Sequence, residues 1–446
     1  KYSDFVGHPI KMKVERKEYE KDADGKVKEN TPATIVQEDE TLNSMKAIWS
    51  RPEKDVTEEE YKEFYKHISH DWNEPLKWIT YRAEGATSEF RSLLFLPAKK
   101  PFDMMGMEEN RGIHLYIKRV FIMNDCKELI PEYLRFVRGV VDSDDLSLNI
   151  SREILQQNRQ IQNIRKALTR KVLDTLKTMR EGEMEKFIGF WNEFGRVLKE
   201  GLFKAPDDRE KLYDVCLFAS THHATELTTL EEYVSRLKPG QEHIYFLTGE
   251  TRSALENSPH LESFKDKGYE VLLLTDPADE VWLAMPSDFK GKKFQSAGKG
   301  TVDFGSEEEK KKAEQQRKEK EVACKSLFEK IKEHLHEHVK EVRLSSRLTS
   351  SPACLVGDQH DMSPNLAMLM RAMGKDVPAS KRILELNSTH PILDKLQSLF
   401  STDAKDPRIG EYAELLFSQA TLAEGGKLPD PAKFSRQLSE LMMKSL

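Results

Sequence analysis

Two short runs of almost purely apolar residues, separated by a helical stretch, limit how the middle of this chain can fold. The runs are His243–Thr248 and Tyr269–Thr275, and the pattern between them predicts a helix at Thr251–Asn257. A strand that is apolar on both sides fits a sheet that is covered on both faces. The pattern therefore predicts a βαβ unit inside a small α/β unit, which we place at residues 206–302.

The part before it, residues 1–205, alternates strand and helix signals. Asp24-Gly25 is typical of a hairpin turn, Leu129–Val141 has apolar residues at helical spacing, and Asp142–Asp145 reads as an acidic turn. Helical spacing returns at Ile154–Met179 and again at Glu185–Leu198. Strands are predicted at Phe5–Val14, Leu76–Arg82, Phe90–Leu96, Gly112–Phe121 and Val120–Met123.

The last part, residues 303–446, opens with the charged segment Glu307–Glu321, which holds six acids and six bases. Its Glu-before-Lys pairs at four-residue spacing, such as Glu314/Lys318, favour a solvated helix that joins domains. Strands are predicted at Val339–Leu348, Ala353–Val356 and Arg382–Leu386, and helices at Ile392–Phe400, Ile409–Leu422 and Pro431–Leu446.

The last two of these helices are amphipathic and too short to bury their apolar faces against each other alone. Pairing with a second copy of the chain is the expected solution. The predicted dimerisation residues are Tyr412, Leu415, Leu416, Leu422, Phe434, Leu438, Leu441 and Met442.

Composition excludes several classes of function. A net charge of −6 with 33% charged residues argues against nucleic acid as a main partner. No apolar run approaches the roughly 18–20 residues of a membrane span, and no signal peptide opens the chain. The four cysteines form no C-x-x-C pair, so we expect reduced, mostly buried thiols in a cytoplasmic protein, with no disulfide or zinc site.

Arg152 is the strongest catalytic candidate. Ser151 is a plausible helix N-cap, and a cation directly after it opposes the helix dipole at a cost of about 0.3–1 kcal/mol. Such a placement suggests that an anion meets the side chain, with Gln156 on the same face one turn later. A local ion pair with Asp144 or Asp145 explains the arginine equally well. For Asn149, in the same loop, a capping or turn role is at least as good an explanation.

A second candidate is the segment Asp361–Gly374, where Ser363 can cap a helix that begins at Pro364. One apolar stripe of this helix fits either a core or an adaptable binding surface, since methionine is flexible and polarisable. Its members are Met362, Leu366, Leu369, Met370 and Met373. His334, His336 and His338 suggest a metal site. On a helix His334 and His338 share one face, but no third ligand and no glutamate in H-E-x-x-H order accompanies them, so a solvated helix is the preferred interpretation.

Ordered blocks of sequence resemble the heat shock protein 90 chaperones along essentially the whole chain. The ending Leu441–Leu446 and the lack of a long charged linker are similar to bacterial members. The matching blocks are Lys1–Phe5, Ala47–Arg51, Glu60–Tyr65, Pro101–Asp103, Arg119–Asn158, Glu231–Arg236, Ile244–Gly249 and Glu270–Asp276.

The resemblance implies a mixed α/β (α+β) fold in three parts. Residues 1–205 and 206–302 would form a middle domain of two αβα sandwich units joined by helices. Residues 303–446 would form a small α+β C-terminal dimerisation domain that ends in a helical bundle. A chain that starts at Lys1 is expected to be a fragment, with the family's ATP-binding domain preceding it. No G-x-x-x-x-G-K-[ST] motif occurs here.

The resemblance also implies roles for individual residues. Arg152 would reach the γ-phosphate of ATP, bound with Mg²⁺ in the separate domain, and Gln156 would assist. This chain alone would therefore bind no cofactor and hydrolyse no ATP. Trp49, Phe102 and Trp282 would lie where clients or the ATP domain dock, although the family pattern places the last of these tryptophans one residue earlier, at the position of Val281. From the residues alone, ordinary partial burial is the preferred interpretation of each of these aromatics. The Met-rich helix would bind clients.

The partners implied are partly folded clients, a second copy of the chain and the bacterial seventy-kilodalton heat shock chaperone system. Two alternatives remain. An autonomous nucleotide-binding enzyme would use the turn Thr248–Thr251, which has one glycine where a dinucleotide fingerprint has three. A purely structural dimerisation scaffold would not suppress the aggregation of a denatured protein.

Overall fold

The computed structural model describes residues 5, 8–18, 34–41, 47–84, 89–100, 112–146, 159–302, 304, 307–358, 361–377 and 380–445. The chain divides into two compact units, Lys1–Leu198 and Lys199–Leu446. The three-part division at residues 205 and 302 stays a prediction. None of the described helices is long and apolar enough to cross a membrane.

The first unit is built around a five-stranded sheet of order β3-β4-β7-β5-β6, beside an antiparallel pair β1-β2. The long helices expected after residue 154 and at Glu185–Leu198 are present, the first described from Arg159. The strands are β1 Lys11–Glu18, β2 Thr34–Thr41, β3 Pro75–Ala83, β4 Phe90–Pro97, β5 Ile113–Ile117, β6 Val120–Met123 and β7 Arg138–Ser143. The helices are α1 Glu58–Ser69, α2 Arg159–Gly182 and α3 Met184–Lys199.

Helix α1 covers one face of this sheet. It begins with a capping box, in which the backbone NH of Glu60 donates to Thr57 Oγ1 and that of Thr57 donates to Glu60 Oε2. Its buried Tyr61 and Tyr65 pack in one cluster with Leu93, Phe95 and Val140 of the sheet. The amphipathic face of α1 and the sheet therefore share one core.

Three predictions for this unit are wrong. The first strand lies at Lys11–Glu18, later than expected, and Gly112–Phe121 holds parts of two strands that turn at Lys118 and Arg119, where φ is 50° and 64°. Leu129–Val141 is not helical, because Pro131 interrupts it and Gly139 adopts φ 147°, where a Cβ would collide with the carbonyl oxygen of Leu93.

That segment instead holds two 3₁₀ turns and then β7. Asp142 and Ser143, expected in an acidic turn, end this strand and are buried. The predicted turn at Asp24-Gly25 lies outside the described residues.

The second unit holds two further sheets. Their orders are β12-β13-β10-β11-β8-β9 and β14-β16-β15. The strands are β8 Phe218–Ser220, β9 Leu227–Thr228, β10 His243–Thr248, β11 Leu272–Leu274, β12 Asp288–Phe289, β13 Lys292–Ser296, β14 Val339–Leu344, β15 Ala353–Val356 and β16 Arg382–Leu386. The helices are α4 Gly201–Lys204, α5 Arg209–Val215, α6 Leu230–Ser235, α7 Arg252–Glu256, α8 Glu262–Lys267, α9 Pro277–Leu283, α10 Glu307–His334, α11 Pro364–Ala372, α12 Pro391–Thr402, α13 Pro407–Ala423 and α14 Pro431–Ser445.

The predicted βαβ unit is confirmed. Strand β10 has the predicted bounds, α7 lies where the helix was expected, and β11 runs parallel to β10. All three residues of β11 are buried, as are the four central residues of β10. Strand β13 pairs in parallel with the other edge of β10, so that β10 lies between two parallel neighbours.

The two sheets of the second unit are joined by buried ionic and polar contacts. Arg347 Nε donates to Glu385 Oε2 at 3.0 Å, and its other nitrogens donate to the carbonyl oxygens of Ala297 and Gly300. Arg347 is 0% and Glu385 1% exposed. The Glu262 carboxylate in turn accepts backbone NH groups of residues 349–351 at 2.7–3.1 Å. These contacts fix the loop after β14 against the six-stranded sheet.

The three-stranded sheet packs with α10, α12 and α13 in one core. The charged helix runs on to His334, beyond the predicted Glu307–Glu321, and its second half buries Leu327, Phe328 and Ile331. In the predicted segment, the side chains that the structure describes between residues 311 and 321 are exposed or partly exposed. The Glu314–Lys318 pair forms at 2.6 Å. All four cysteines are free and three are buried, as expected, and burial raises the pKa of Cys126 and Cys216 to about 12.

Candidate functional site

Helix α11 is held at both ends by contacts of its own sequence. Ser363 caps it, since the backbone NH of Leu366 donates to Ser363 Oγ at 3.1 Å. At the other end Gly374 has φ 76°, and the NH of Lys375 donates to the carbonyl of Met370 at 3.0 Å. A short helix that is capped at both ends has a well-defined backbone, from which its side chains project.

Methionines on α11 and directly beside its two ends form an exposed apolar surface. Met362 is 40%, Met368 50% and Met373 65% exposed. Leu366 and Met370 are partly buried, and the side chain of Leu369 lies outside the described residues. The predicted stripe is thus divided between solvent and packing.

Met368 was not part of the predicted stripe, because it lies about 200° around the helix from Leu366. It lines a groove of about 220 Å³ together with Ala372, Leu274 and Pro277. The i, i+4 pair Met368/Ala372 was the signal that could have found it, since it marks a second apolar face.

A buried hydrogen bond joins the N-terminal cap of α11 to α9. Ser363 Oγ donates to Glu280 Oε2 at 2.6 Å, and both residues are less than 10% exposed. The serine hydroxyl thus serves twice, as the cap of α11 and as its attachment to α9. The backbone of α11 is thus held in place, while the flexible methionine side chains beside it remain exposed.

The two predicted tryptophan contacts lie inside the protein. Trp282 is 0% exposed and donates its indole NH to Asp279 Oδ1 at 2.9 Å, while Lys199 Nζ bonds Asp279 Oδ2 at 2.7 Å. Burial opposes the charge of Lys199, but the Asp279 carboxylate outweighs it and raises the pKa of Lys199. Trp282 therefore helps to hold a buried ion pair.

Trp49 behaves in the same way in the first unit. It is 6% exposed, donates its indole NH to Asp142 Oδ2 at 2.9 Å, and its ring lies 4.8 Å from those of Phe5 and Tyr116. A client cannot reach such an indole while the fold is intact. We assign both tryptophans a structural role and leave them out of the surface proposed below. Phe102 lies outside the described residues.

The candidate catalytic loop also lies outside the described residues, with Asn149, Arg152 and Gln156. Near it, Asp145 Oδ2 accepts the backbone NH of Glu89 at 2.5 Å. Both explanations of Arg152 therefore stay open.

The C-terminal helices separate the predicted dimerisation residues into two groups. Leu416 is 2% exposed within the core of its own chain and cannot contact a second copy, which corrects that prediction. Tyr412 packs against the same core, and Leu415, Phe434 and Leu441 are partly buried. The exposed group consists of Leu422, Leu438, Met442 and, unpredicted, Met443, at 47%, 45%, 58% and 72%.

The three histidines have separate partners. His334 Nε2 lies 2.9 Å from Glu414 Oε1, His336 Nδ1 lies 3.0 Å from the carbonyl of Glu333, and His338 stacks on Phe417. His334 is the last residue of α10 and the other two follow it, so the three do not share one helix face. Within the described ranges no group of three or more His, Cys, Asp or Glu residues could hold a metal ion.

Comparison with known proteins gives a consistent result. The profile described as "Hsp90 protein" matches residues 8–446. The chaperone protein HtpG of Nocardia farcinica is 53% identical over 453 residues, covering 100% of this chain and 69% of that protein. HtpG of Mycolicibacterium paratuberculosis is 52% and that of Mycobacterium tuberculosis 53% identical, each covering 100% of this chain and 68% of the relative.

Proposed function

The chain belongs to the heat shock protein 90 family of chaperones, and from this premise we propose that it binds partly folded clients on the methionine surface of α11. We define this surface as Met362, Met368 and Met373. The observation that supports the proposal is the exposure of 40–65% of each of these side chains, with Met368 on a helix capped at both ends and Met362 and Met373 directly beside its two ends.

The chemistry of the surface suits clients of many sequences. Methionine has three rotatable bonds and a polarisable sulfur, so the same side chains can fit different apolar groups. The backbone beneath them is fixed by the Ser363–Glu280 hydrogen bond, so little order has to be gained on binding. Many weak apolar contacts on a firm support favour broad and reversible recognition.

We expect the double change Met368→Ser and Met373→Ser to weaken client binding. Each change removes apolar area from the contact but leaves exposed positions exposed, so the fold should lose less than about 1 kcal/mol. The measurement is the suppression of aggregation of a chemically denatured protein, with the melting temperature recorded in parallel.

Met184→Ser is the matched control, because Met184 is an exposed methionine, 37% accessible, on another helix. It should leave aggregation suppression unchanged. A double variant that suppresses aggregation as well as the parent chain would remove α11 from the client surface. Failure of every variant and of the parent chain to suppress aggregation would favour the scaffold alternative.

We further propose that the chain forms a homodimer through the exposed group Leu422, Leu438, Met442 and Met443. Helix α14 is fixed to its own chain through Glu414, which accepts from Gln437 at 2.8 Å and pairs with Lys433 at 2.6 Å. Its apolar residues remain exposed in the single chain, which is the pattern expected of a helix that pairs with another copy.

Changing Leu438 and Met442 together to Ser should give monomers in sedimentation velocity. Deleting everything from Pro391 is less informative, because it also removes Leu393, Leu396 and Ile409 from the core. Val322→Ser on α10, where the side chain is 75% exposed, is the control and should stay dimeric. A dimer that survives the double change would place the interface elsewhere.

We also propose that Arg152 and Gln156 act on ATP bound by a separate domain and that the protein works in the cytoplasm. Family membership and the S-R-E sequence at residues 151–153 support the first statement. Four free thiols, three of them buried, support the second. The role of the arginine can be tested after an ATP-binding domain is added to this chain.

A further inference from the structure

A cavity of about 140 Å³ lies at the carboxyl ends of the parallel strands β10 and β13 in the second unit. From β10 the chain passes to β11 on one side and later returns to β13 on the other. In open α/β sheets such a reversal of strand order opens a crevice where ligands bind. The cavity is lined by the turn after β10 and by the segment Ser296–Lys299 after β13.

Lys299 projects a cation into the lining of this cavity. The Lys299 side chain is only partly accessible, and among the described residues it makes no hydrogen bond or ion pair. Burial lowers the pKa of Lys299, and the carboxylates of Glu280 and Asp361 do not restore it, while Arg382 lowers it further. An amino group that is held partly out of water gains from an anion that enters the cavity.

The neighbouring carboxylates have partners of their own through at least one oxygen. Glu424 Oε1 lies 2.8 Å from His260 Nε2 and accepts from Arg382 Nη2 at 3.0 Å. Asp361 pairs with Lys340 at 2.9 Å. Glu280 accepts from Ser363 through Oε2, whereas its Oε1 is buried without a hydrogen-bond partner among the described residues. Glu250 lines the same cavity and is exposed.

We propose that this cavity binds a small oxyanion-bearing molecule, with a phosphate or carboxylate group at Lys299. Arg382, which lines the same cavity, adds a second positive charge. Leu247, Leu255 and Met362 offer an apolar wall for the rest of the ligand. Charge-assisted hydrogen bonds from lysine to an oxyanion are among the stronger polar contacts in proteins.

The size of the cavity limits the ligand. A cavity near 150 Å³ accommodates a molecule such as benzene, whereas pockets for drug-sized ligands occupy about 300–1,000 Å³. A nucleoside triphosphate is therefore too large, and a phosphate or carboxylate with at most one ring fits. The test of this cavity is independent of the test of the client surface. Met368 and Met373, which are changed in the client-binding experiment, do not line the cavity.

The test uses the 446-residue chain and inorganic phosphate, phenyl phosphate and ATP, each titrated by calorimetry at constant ionic strength. Phenyl phosphate should bind more tightly than phosphate, and ATP should bind no more tightly. Lys299→Gln should weaken phosphate binding at least about tenfold, since it removes a charge-assisted bond. Lys293→Gln, an exposed lysine of β13, should bind as the parent chain does.

A readout without substitution guards against misfolding of the variant. Phosphate should protect Lys299 of the parent chain, relative to Lys293, from methylation by formaldehyde and cyanoborohydride, measured by peptide mass spectrometry. Equal phosphate affinity of Lys299→Gln and the parent chain would overturn the proposal, as would absence of selective protection. If the parent chain binds no phosphate and only Glu250→Gln does, Glu250 is the partner of Lys299. This result would also overturn the proposal.

Discussion

Arg152→Ala, placed in a protein that joins this chain to an ATP-binding domain of the family, should lower ATP turnover at least tenfold and leave ATP affinity nearly unchanged. An arginine that reaches the γ-phosphate only when the domains close stabilises the transition state more than the bound substrate. A tenfold effect on rate corresponds to about 1.4 kcal/mol, which one charged contact can supply. The measurements are steady-state turnover and nucleotide affinity.

Variants at neighbouring positions sharpen this expectation. Arg152→Lys should recover part of the rate, since lysine supplies charge without the planar guanidinium, and Gln156→Ala should reduce turnover less than Arg152→Ala. Arg170→Ala is the control, because Arg170 is an exposed residue of α2 that pairs with Asp174. Normal turnover of Arg152→Ala would leave Arg152 as a local partner of Asp144 or Asp145.

Glu385→Ala should cost about 3–5 kcal/mol of the free energy of unfolding, because it leaves the fully buried Arg347 without its counter-charge. The change also removes the acceptor of Arg343, which donates to Glu385 Oε1 at 2.8 Å, and of Ser345. For a unit of this size the melting temperature should fall by roughly 6–20 °C. Thermal unfolding followed by circular dichroism measures it.

Glu341→Ala is the matched control, since Glu341 is an exposed glutamate of β14, and it should cost less than about 0.5 kcal/mol.

The same network predicts a pH dependence of the stability. Burial raises the pKa of Glu385, but Arg347 and Arg343 outweigh it and hold that pKa below 4.5. Its contribution is therefore complete well above pH 4.5 and declines as the pH falls through that value. A melting temperature of Glu385→Ala within about 2 °C of the parent would contradict this role.

The parts of the fold that sequence predicted are those with a strong local signal. Strands β10, β15 and β16 and the final three helices could be placed because their apolar patterns are nearly continuous or regularly spaced. The stretch Leu129–Val141 could not, since its helical spacing coincides with burial against a sheet whose partners lie far away in sequence. Long-range pairing decided the structure there, against the local pattern.

The candidate sites show the same limit. The capped helix at residues 363–372 was predictable from Ser363, Pro364 and its apolar stripe, but the second apolar face with Met368 was not. The sequence around Trp282 favours ordinary partial burial, whereas the structure buries this side chain completely beside the ion pair of Asp279 and Lys199. Arg347 and Glu385 are 38 residues apart, and nothing local marks them as partners.

The arginine joint between the two sheets has a mechanical consequence. Arg347 bonds Glu385 of the three-stranded sheet and the carbonyls of Ala297 and Gly300 beside the six-stranded one, so neither sheet can slide without exposing a buried charge. The region from β10 to α13 is therefore expected to move as one rigid body. A displacement that begins at the C-terminal helices should therefore be carried to α11, where the proposed client surface lies.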